Sequence, residues 1–229
     1  MGRIKYYFDD IDISTLNITI AKSSGVLDRP RRKSVLKTDW SAMNGNIPDL
    51  ETNCVEERTL KLEGFITAAN RIDFAEQINN FADLIGGTGY HRLTIEIDGV
   101  NKPLIYIVYS SNGLTIDKTW RQGNQVGTFS LTLTEPYSVK RILQLTANSA
   151  TTLNLTITSS DEEDFDIFWG DKSHSVTNYG TTSTLNHTYS EEGSYFVVIC
   201  GNIDKITSIK TGNTEITIAT NPKIVWPKI

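Results

Sequence analysis

Apolar and polar residues alternate with period two over much of the chain. Leu93, Ile95 and Ile97 alternate with Arg92, Thr94, Glu96 and Asp98, and Phe129, Leu131 and Leu133 with Thr128, Ser130, Thr132 and Thr134. Such alternation puts one set of side chains on a buried face and the other in solvent, as a half-buried strand requires. Threonine, isoleucine, valine and tyrosine are plentiful and favour the pleated conformation. The pattern predicts a mainly β protein.

One segment changes period. From Asn70 to Ile85, the residues Ile72, Ala75, Ile78, Phe81, Ala82 and Ile85 recur at three- and four-residue spacing. They form one face of a helix over about 70–85, expected to pack on a sheet. Asn70 is placed to cap the first turn, with Asp73 favourable against the helix dipole. Gly86-Gly87 ends the helix, since glycine accepts the left-handed conformation at no steric cost.

Gly25 to Lys33 reads as an exposed loop punctuated by Gly25, Asp28 and Pro30, and Asn44-Gly45-Asn46 with Pro48 marks a turn. Ile142 to Thr146 reads as one more strand or a linker, and Ala147-Asn148-Ser149-Ala150 as a hinge. Two domains are expected, 1–145 and 146–229. In the second, Leu153 to Ile157, Tyr195 to Ile199 and Glu215 to Ile218 are the clearest strands. Turn signals every 8–12 residues there point to a small sandwich.

Composition supports the division. Residues 1–145 carry 17 basic and 17 acidic side chains, whereas residues 146–229 carry 5 and 10. The acidic half is a poor nucleic-acid binder, because affinity there depends on neutralising phosphates. A chain of 229 residues buries roughly 70% of its unfolded surface and needs no disulfide or metal to fold. Cys54 and Cys200 are expected to be buried free thiols. No run reaches the roughly 18 apolar residues that span a bilayer. Met1 to Tyr6 lacks the apolar core of an export signal, so synthesis without one, and no membrane partner, is expected.

The residues from Tyr7 to Ile85 carry a family resemblance. They are an opening strand Tyr7-Phe8-Asp9-Asp10-Ile11-Asp12-Ile13, the run Gly25 to Lys33, then Trp40, Asn44-Gly45 and Asp49-Leu50. Glu57 to Ile66 and the lone helix follow. In this order they resemble the N-terminal domain of phage distal tail proteins over roughly residues 3–140. The resemblance implies a β-sandwich or barrel-like domain with one helix, assembling as a homo-hexameric ring. Such a ring joins the tail tube to the hub, baseplate and receptor-binding protein, in the virion tail of a phage or prophage. The chain would be made in the bacterial host cytoplasm, and DNA would pass through the ring lumen without specific binding.

The second domain is similar to a PKD-type immunoglobulin-like sandwich. The residues are Phe168-Trp169-Gly170-Asp171, His187-Thr188-Tyr189 and Gly193-Ser194-Tyr195-Phe196-Val197-Val198. Lys172 departs from the pattern, which often has a second glycine there. Trp169 can fill an inter-sheet core and Tyr189 can tie a corner by hydrogen bonding. Tyr195, Val197 and Ile199 form one inward face.

Catalytic constellations are not apparent. The three histidines, His91, His174 and His187, show no metal-ligand spacing, and no nucleophile elbow or phosphate-binding loop occurs. Gly86-Gly87-Thr88-Gly89 follows a helix, whereas a phosphate cradle precedes one. Asp161-Glu162-Glu163-Asp164, Asp166 and Asp171 offer hard oxygen ligands, but adjacent strand residues point to opposite faces, so a solvated acidic turn is expected rather than a calcium site. No cofactor or enzymatic activity is expected. Arg29, Arg31, Arg32 and Lys33 form the only basic cluster. They read either as a solvated loop or as a contact with an acidic neighbouring subunit or passing DNA. Trp226, between Val225 and Pro227, is expected to be accessible and is a further candidate partner contact. The functional expectation is a structural distal-tail adaptor; the alternative is a bacterial surface or adhesin-type module contacting glycan or protein.

Overall fold

The structure, a computed structural model, describes residues 4–34, 37–39, 42, 44–48, 54–120, 125–148, 150–212 and 214–216. The chain is mainly β with one α-helix, and divides into two compact units, Met1–Ser138 and Val139–Ile229.

The first unit contains β1 (Ile4–Phe8), β2 (Ile11–Asp12), β3 (Ile18–Ser24), β4 (Lys37–Asp39), β5 (Asn46–Pro48), β6 (Arg58–Ala68), α1 (Arg71–Ile85), β7 (His91–Ile97), β8 (Leu104–Trp120) and β9 (Gln125–Glu135). Seven strands form one antiparallel sheet in the order β2-β1-β7-β8-β9-β6-β3. The expected inward positions make its core: Leu60, Leu62, Leu93, Ile95, Phe129, Leu131 and Leu133 are all buried. Away from the hydrogen-bonded order, β1 and β3 meet side-on. The Tyr6 hydroxyl donates to Ser23 Oγ at 3.2 Å, and a cavity of about 110 Å³ lies beside them. The sheet is therefore curled towards a barrel.

The expected opening strand is interrupted. Asp9 and Asp10 both take left-handed backbone, φ 47° and 69°, and make a two-residue turn between Phe8 and its partner Ile11. Positive φ at both positions matches the right-handed twist of flanking strands, which is why Asp pairs are tolerated there. A short 3₁₀ turn, Ile13–Leu16, then leads to β3.

Helix α1 starts as expected: Asn70 Oδ1 accepts from the Ile72 and Asp73 amides, both at 2.9 Å. Its buried face keeps the expected Ile78, Phe81 and Ile85 but turns towards Phe74 at the start of the helix. Ile72 is 73% exposed and Ala75 is exposed, while Phe74, Phe81 and Ile85 are buried. Phe74 is the larger anchor and rotates the face towards itself. Its ring occupies the space a Cβ on Gly127 would need, 2.6 Å from Phe74 Cζ. Phe81 meets Phe129 edge-on at 5.2 Å. The helix end also differs from expectation. Gly86 keeps φ −93°, and its N–H reaches Ala82 O at 2.8 Å; the left-handed residue is Gly89, φ +97°.

The second unit contains β10 (Arg141–Ala147), β11 (Thr151–Glu163), β12 (Phe165–Phe168), β13 (His174–Val176), β14 (Gly180–Tyr189), β15 (Gly193–Gly201), β16 (Ile206–Thr211) and β17 (Thr214–Ile216). Two four-stranded sheets, β10-β15-β12-β13 and β14-β11-β16-β17, share one core. Leu143, Leu145, Ile167, Val197 and Ile199 of the first meet Leu153, Leu155, Ile157 and Ile209 of the second. This is a β-sandwich.

The unit boundary lies at 138/139 rather than 145/146. Ile142–Thr146 is strand, paired with β15 from Val198 to Ser194. Asn148 and Ala150 lie where the chain passes from β10 to β11 within the sandwich. Thr151 N–H donates to Asn148 O at 3.1 Å, and Ala150 has φ 60°. The cysteines are free, but Cys54 is exposed and only Cys200 is buried. Trp40, Asp49, Leu50 and Trp226 lie outside the described residues.

Candidate functional site

In the second unit, the residues singled out for corner packing converge. Turn residues following β12 carry Trp169, Asp171 and Ser173, and β14 carries His187 and Tyr189. Trp169 and Tyr189 are buried. The Tyr189 hydroxyl donates to Trp169 O at 2.9 Å, and the indole N–H donates to Ser175 Oγ at 2.9 Å. The His187 ring stacks on Trp169, and its Nε2 donates to Asp171 Oδ2 at 2.7 Å. Asp171 Oδ1 also accepts from the Ser173 amide at 3.1 Å and from the Ser173 hydroxyl.

Serine, histidine and aspartate are thus neighbours, yet their arrangement does not activate the serine. A catalytic triad places the carboxylate on one ring nitrogen and the nucleophile on the other. Here Asp171 and Ser173 both face Nε2, the latter at 3.5 Å. The Nε2 proton and the Ser173 hydroxyl proton both go to Asp171. No ring lone pair faces Ser173 to take its proton. Partial burial works against ionisation of Asp171, but the hydrogen bonds from Ser173 and His187 outweigh it and hold the carboxyl below its ordinary value. The cluster ties the β12–β13 hairpin to β14.

The acidic stretch does not converge. Asp161 pairs with Lys205, Glu163 accepts from Asn202 at 2.8 Å, Asp166 faces His174 at 2.8 Å, and Asp171 turns to His187. Among the described residues no three His, Cys, Asp or Glu side chains are placed to hold a metal.

In the first unit, His91 Nδ1 meets Asp9 Oδ2 at 2.7 Å and Nε2 faces Gly87 O at 3.3 Å. Asp9 Oδ1 accepts from the Arg92 amide at 2.7 Å, and Arg92 pairs with Asp10. His91 therefore joins the segment after α1 to the β1–β2 turn. A Cβ on Gly87 would lie 3.0 Å from the ring.

Arg29, Arg31, Arg32 and Lys33 are all exposed. Their backbone is nevertheless held: Lys33 N–H donates to Cys54 O at 2.9 Å, Glu56 N–H donates to Arg31 O at 2.7 Å, and Arg32 bridges to Val55. Just before them, Val26 is buried and Leu27 is 80% exposed. Leu27 stands over an apolar groove of about 320 Å³ lined by Ile4, Tyr6, Val26, Ile95, Ile97 and Leu104. The groove had no signal in the linear pattern, because its walls come from four separate segments. Among the described residues no helix is long and apolar enough to cross a membrane.

The chain matches no protein family model and no curated protein. Nine chains of solved structures overlap with it, among them three phage hub or baseplate proteins. One is the SPP1 Dit (gp 19.1) protein, described as a paradigm of the hub adsorption apparatus in phages infecting Gram-positive bacteria. It has 13% identity and a TM-score of 0.43, covering 96% of this chain and 84% of that one. Another is the phage P2 baseplate in its activated conformation with calcium, at 7% identity and a TM-score of 0.44, covering 88% and 98%. The third is the phage p2 baseplate with strontium, at 7% identity and 0.38, covering 88% and 98%.

Proposed function

We propose that this chain is a structural component of a phage or prophage tail, a distal-tail adaptor between tail tube and baseplate or receptor-binding parts. The reading rests on one observation. The first unit has the β-rich fold with a single helix packed on a sheet that the sequence resemblance implies. A backbone-tethered basic loop beside an apolar groove suits contact with an acidic, partly apolar protein surface. The second unit serves as an interaction module carried by the first. In this reading the chain performs no catalysis: the Ser173–His187–Asp171 cluster holds a corner.

Light scattering and electron microscopy of the full chain, alone and with tail-tube protein, test this. A mass near six protomers with ring-shaped particles, alone or on mixing, is the expected result. A chain that forms no ring and binds neither tail-tube nor hub protein overturns it.

A further inference from the structure

The sheet edges differ in how they are protected. An edge strand presents unpaired backbone donors and acceptors, and proteins blunt it with short length, charge, proline, a bulge or a cover. Strand β2 has two residues and β13 three. Strand β3 has a register shift between Ile20 and Lys22 and carries that lysine. Strand β10 is buried along Arg141–Leu143, and three residues of β17 are described.

Strand β14 has such a device only at its first residues, where its register with β11 shifts between Gly180 and Thr182. It is ten residues long, Gly-Thr-Thr-Ser-Thr-Leu-Asn-His-Thr-Tyr, without Lys, Arg, Asp, Glu or Pro. It forms the edge of its sheet. Residues Thr182–Tyr189 keep unbroken register with Thr158–Thr151. The backbone hydrogen bonds described for Thr182–Thr188 all face β11. Leu185, which points inward, stays only partly buried.

We propose that the outer edge of β14 pairs antiparallel with the same edge of a second copy of this chain, about a two-fold axis at Leu185. The partner is argued from self-complementarity. Centred there, Leu185 meets Leu185 of the second copy, Ser183 meets His187, Thr184 meets Asn186 and Thr182 meets Thr188. No acidic or basic pair of like charge is opposed. Inward residues meet inward residues, so each Leu185 gains an apolar cover. Outward, the pairing continues a face already built from like rungs. Thr152 and Thr188 hydroxyls lie 2.9 Å apart, Asn154 is opposite Asn186, and Thr156 and Thr184 hydroxyls lie 3.0 Å apart.

Pairing through this one edge closes at two copies rather than a fibre. A strand pair of about 26 Å buries less than a standard interface, so association is weak and concentration-dependent. It is independent of ring formation through the first unit, and doubles whatever assembly that unit makes.

The test uses the full chain with Cys54→Ser, Cys200 being buried. A short bis-maleimide reagent should cross-link Leu185→Cys to dimers. It should spare Thr182→Cys alone, whose two copies stand roughly 20 Å apart, but link Thr182→Cys mixed with Thr188→Cys. At high concentration Leu185→Lys should halve the mass, whether or not a ring forms. No dimer, equal cross-linking of Leu185→Cys and Thr182→Cys, or a mass unchanged by Leu185→Lys overturns the proposal.

Discussion

The His187 ring lies almost flat on the Trp169 indole, with centroids 4.7 Å apart and planes 11° apart. Tyr189, two residues along the same strand, stands edge-on to His187 at 4.7 Å and returns a hydrogen bond to Trp169 O. One strand thereby grips one turn from two sides. Its two contacts are separable. Tyr189→Phe keeps the ring and removes one buried hydrogen bond, so it should cost about 1 kcal/mol. His187→Ala also removes the stack and one partner of Asp171, and should cost more. Urea unfolding of the full chain, followed by amide exchange in β12 and β14, reads both. Equal, negligible losses would mean that the corner is not held by these contacts.

Asp171 ties the same corner to pH. Its carboxyl is held below the ordinary value of 3.8: partial burial raises it, and the Ser173 and His187 hydrogen bonds lower it further than burial raises it. The folded state therefore favours the ionised form. That contribution is present above about pH 3.8 and disappears as pH falls through the lower folded value. Asp171→Asn should destabilise the second unit at neutral pH and flatten its loss of stability below pH 4. Acid titration of the variant against the parent chain checks this. Parallel curves would sink it.

Much of the fold was legible along the chain, because burial with period two is written locally. The strands at Leu93, Phe129 and Leu153 and the Asn70 cap needed only neighbours in sequence. The corner roles of Trp169 and Tyr189 were expected from the resemblance of that stretch to an immunoglobulin-like module. What was not legible depends on register. Asp9 and His91 are 82 residues apart, and no local pattern pairs them. The face of α1 was legible at Phe81 and Ile85 but not at its start, where Ile72 and Phe74 are both apolar and Phe74 is the one that packs over the bare Gly127 on β9. Exposure of Cys54 and the groove beneath Leu27 likewise depend on which strands come together. The basic run was visible, but not the tether to Cys54 and Glu56 that orders it.

Two glycines test the closeness of strands in the first unit. A Cβ on Gly64 would lie 2.1 Å from Thr19 O and 2.9 Å from the Phe129 ring; one on Gly25, φ +79°, would lie 2.1 Å from Thr59 O. These obstacles are mainly backbone and cannot swing away. Gly113, φ +69°, meets nothing within 4 Å. Gly64→Ala and Gly25→Ala should each cost about 3 kcal/mol or more, by overpacking. Gly113→Ala should cost only the left-handed strain, about 1 kcal/mol. Thermal unfolding of the three variants ranks them; a Gly113→Ala loss as large as the others would refute the steric account.

The ion pair between Arg58 and Glu135 allows the sharpest energetic prediction. The two residues are cross-strand partners on β6 and β9, 11% and 0% exposed, with Arg58 Nε 3.4 Å from Glu135 Oε2. The guanidinium also donates to Ser138 O at 3.4 Å and lies 5.6 Å over the Tyr106 ring. Burial, with Glu135 adding to it and Arg58 opposing it, pushes the Tyr106 hydroxyl up to about 12, and it donates to Val26 O at 2.7 Å. Removing one charge leaves the other less compensated at a buried position. Glu135→Ala should therefore cost about 3–5 kcal/mol, and Arg58→Ala a similar amount. Replacing both, as Arg58→Met with Glu135→Leu, removes the remaining charge and restores apolar contact. That double variant should recover most of the loss, because desolvation of the pair offsets much of its attraction. A double-mutant cycle, read by urea unfolding with amide exchange in β6 and β9, measures the coupling. If the double variant is as unstable as the sum of the single ones, the pair is not the source of the penalty. The cost would then lie with the packing of Tyr106 against the guanidinium.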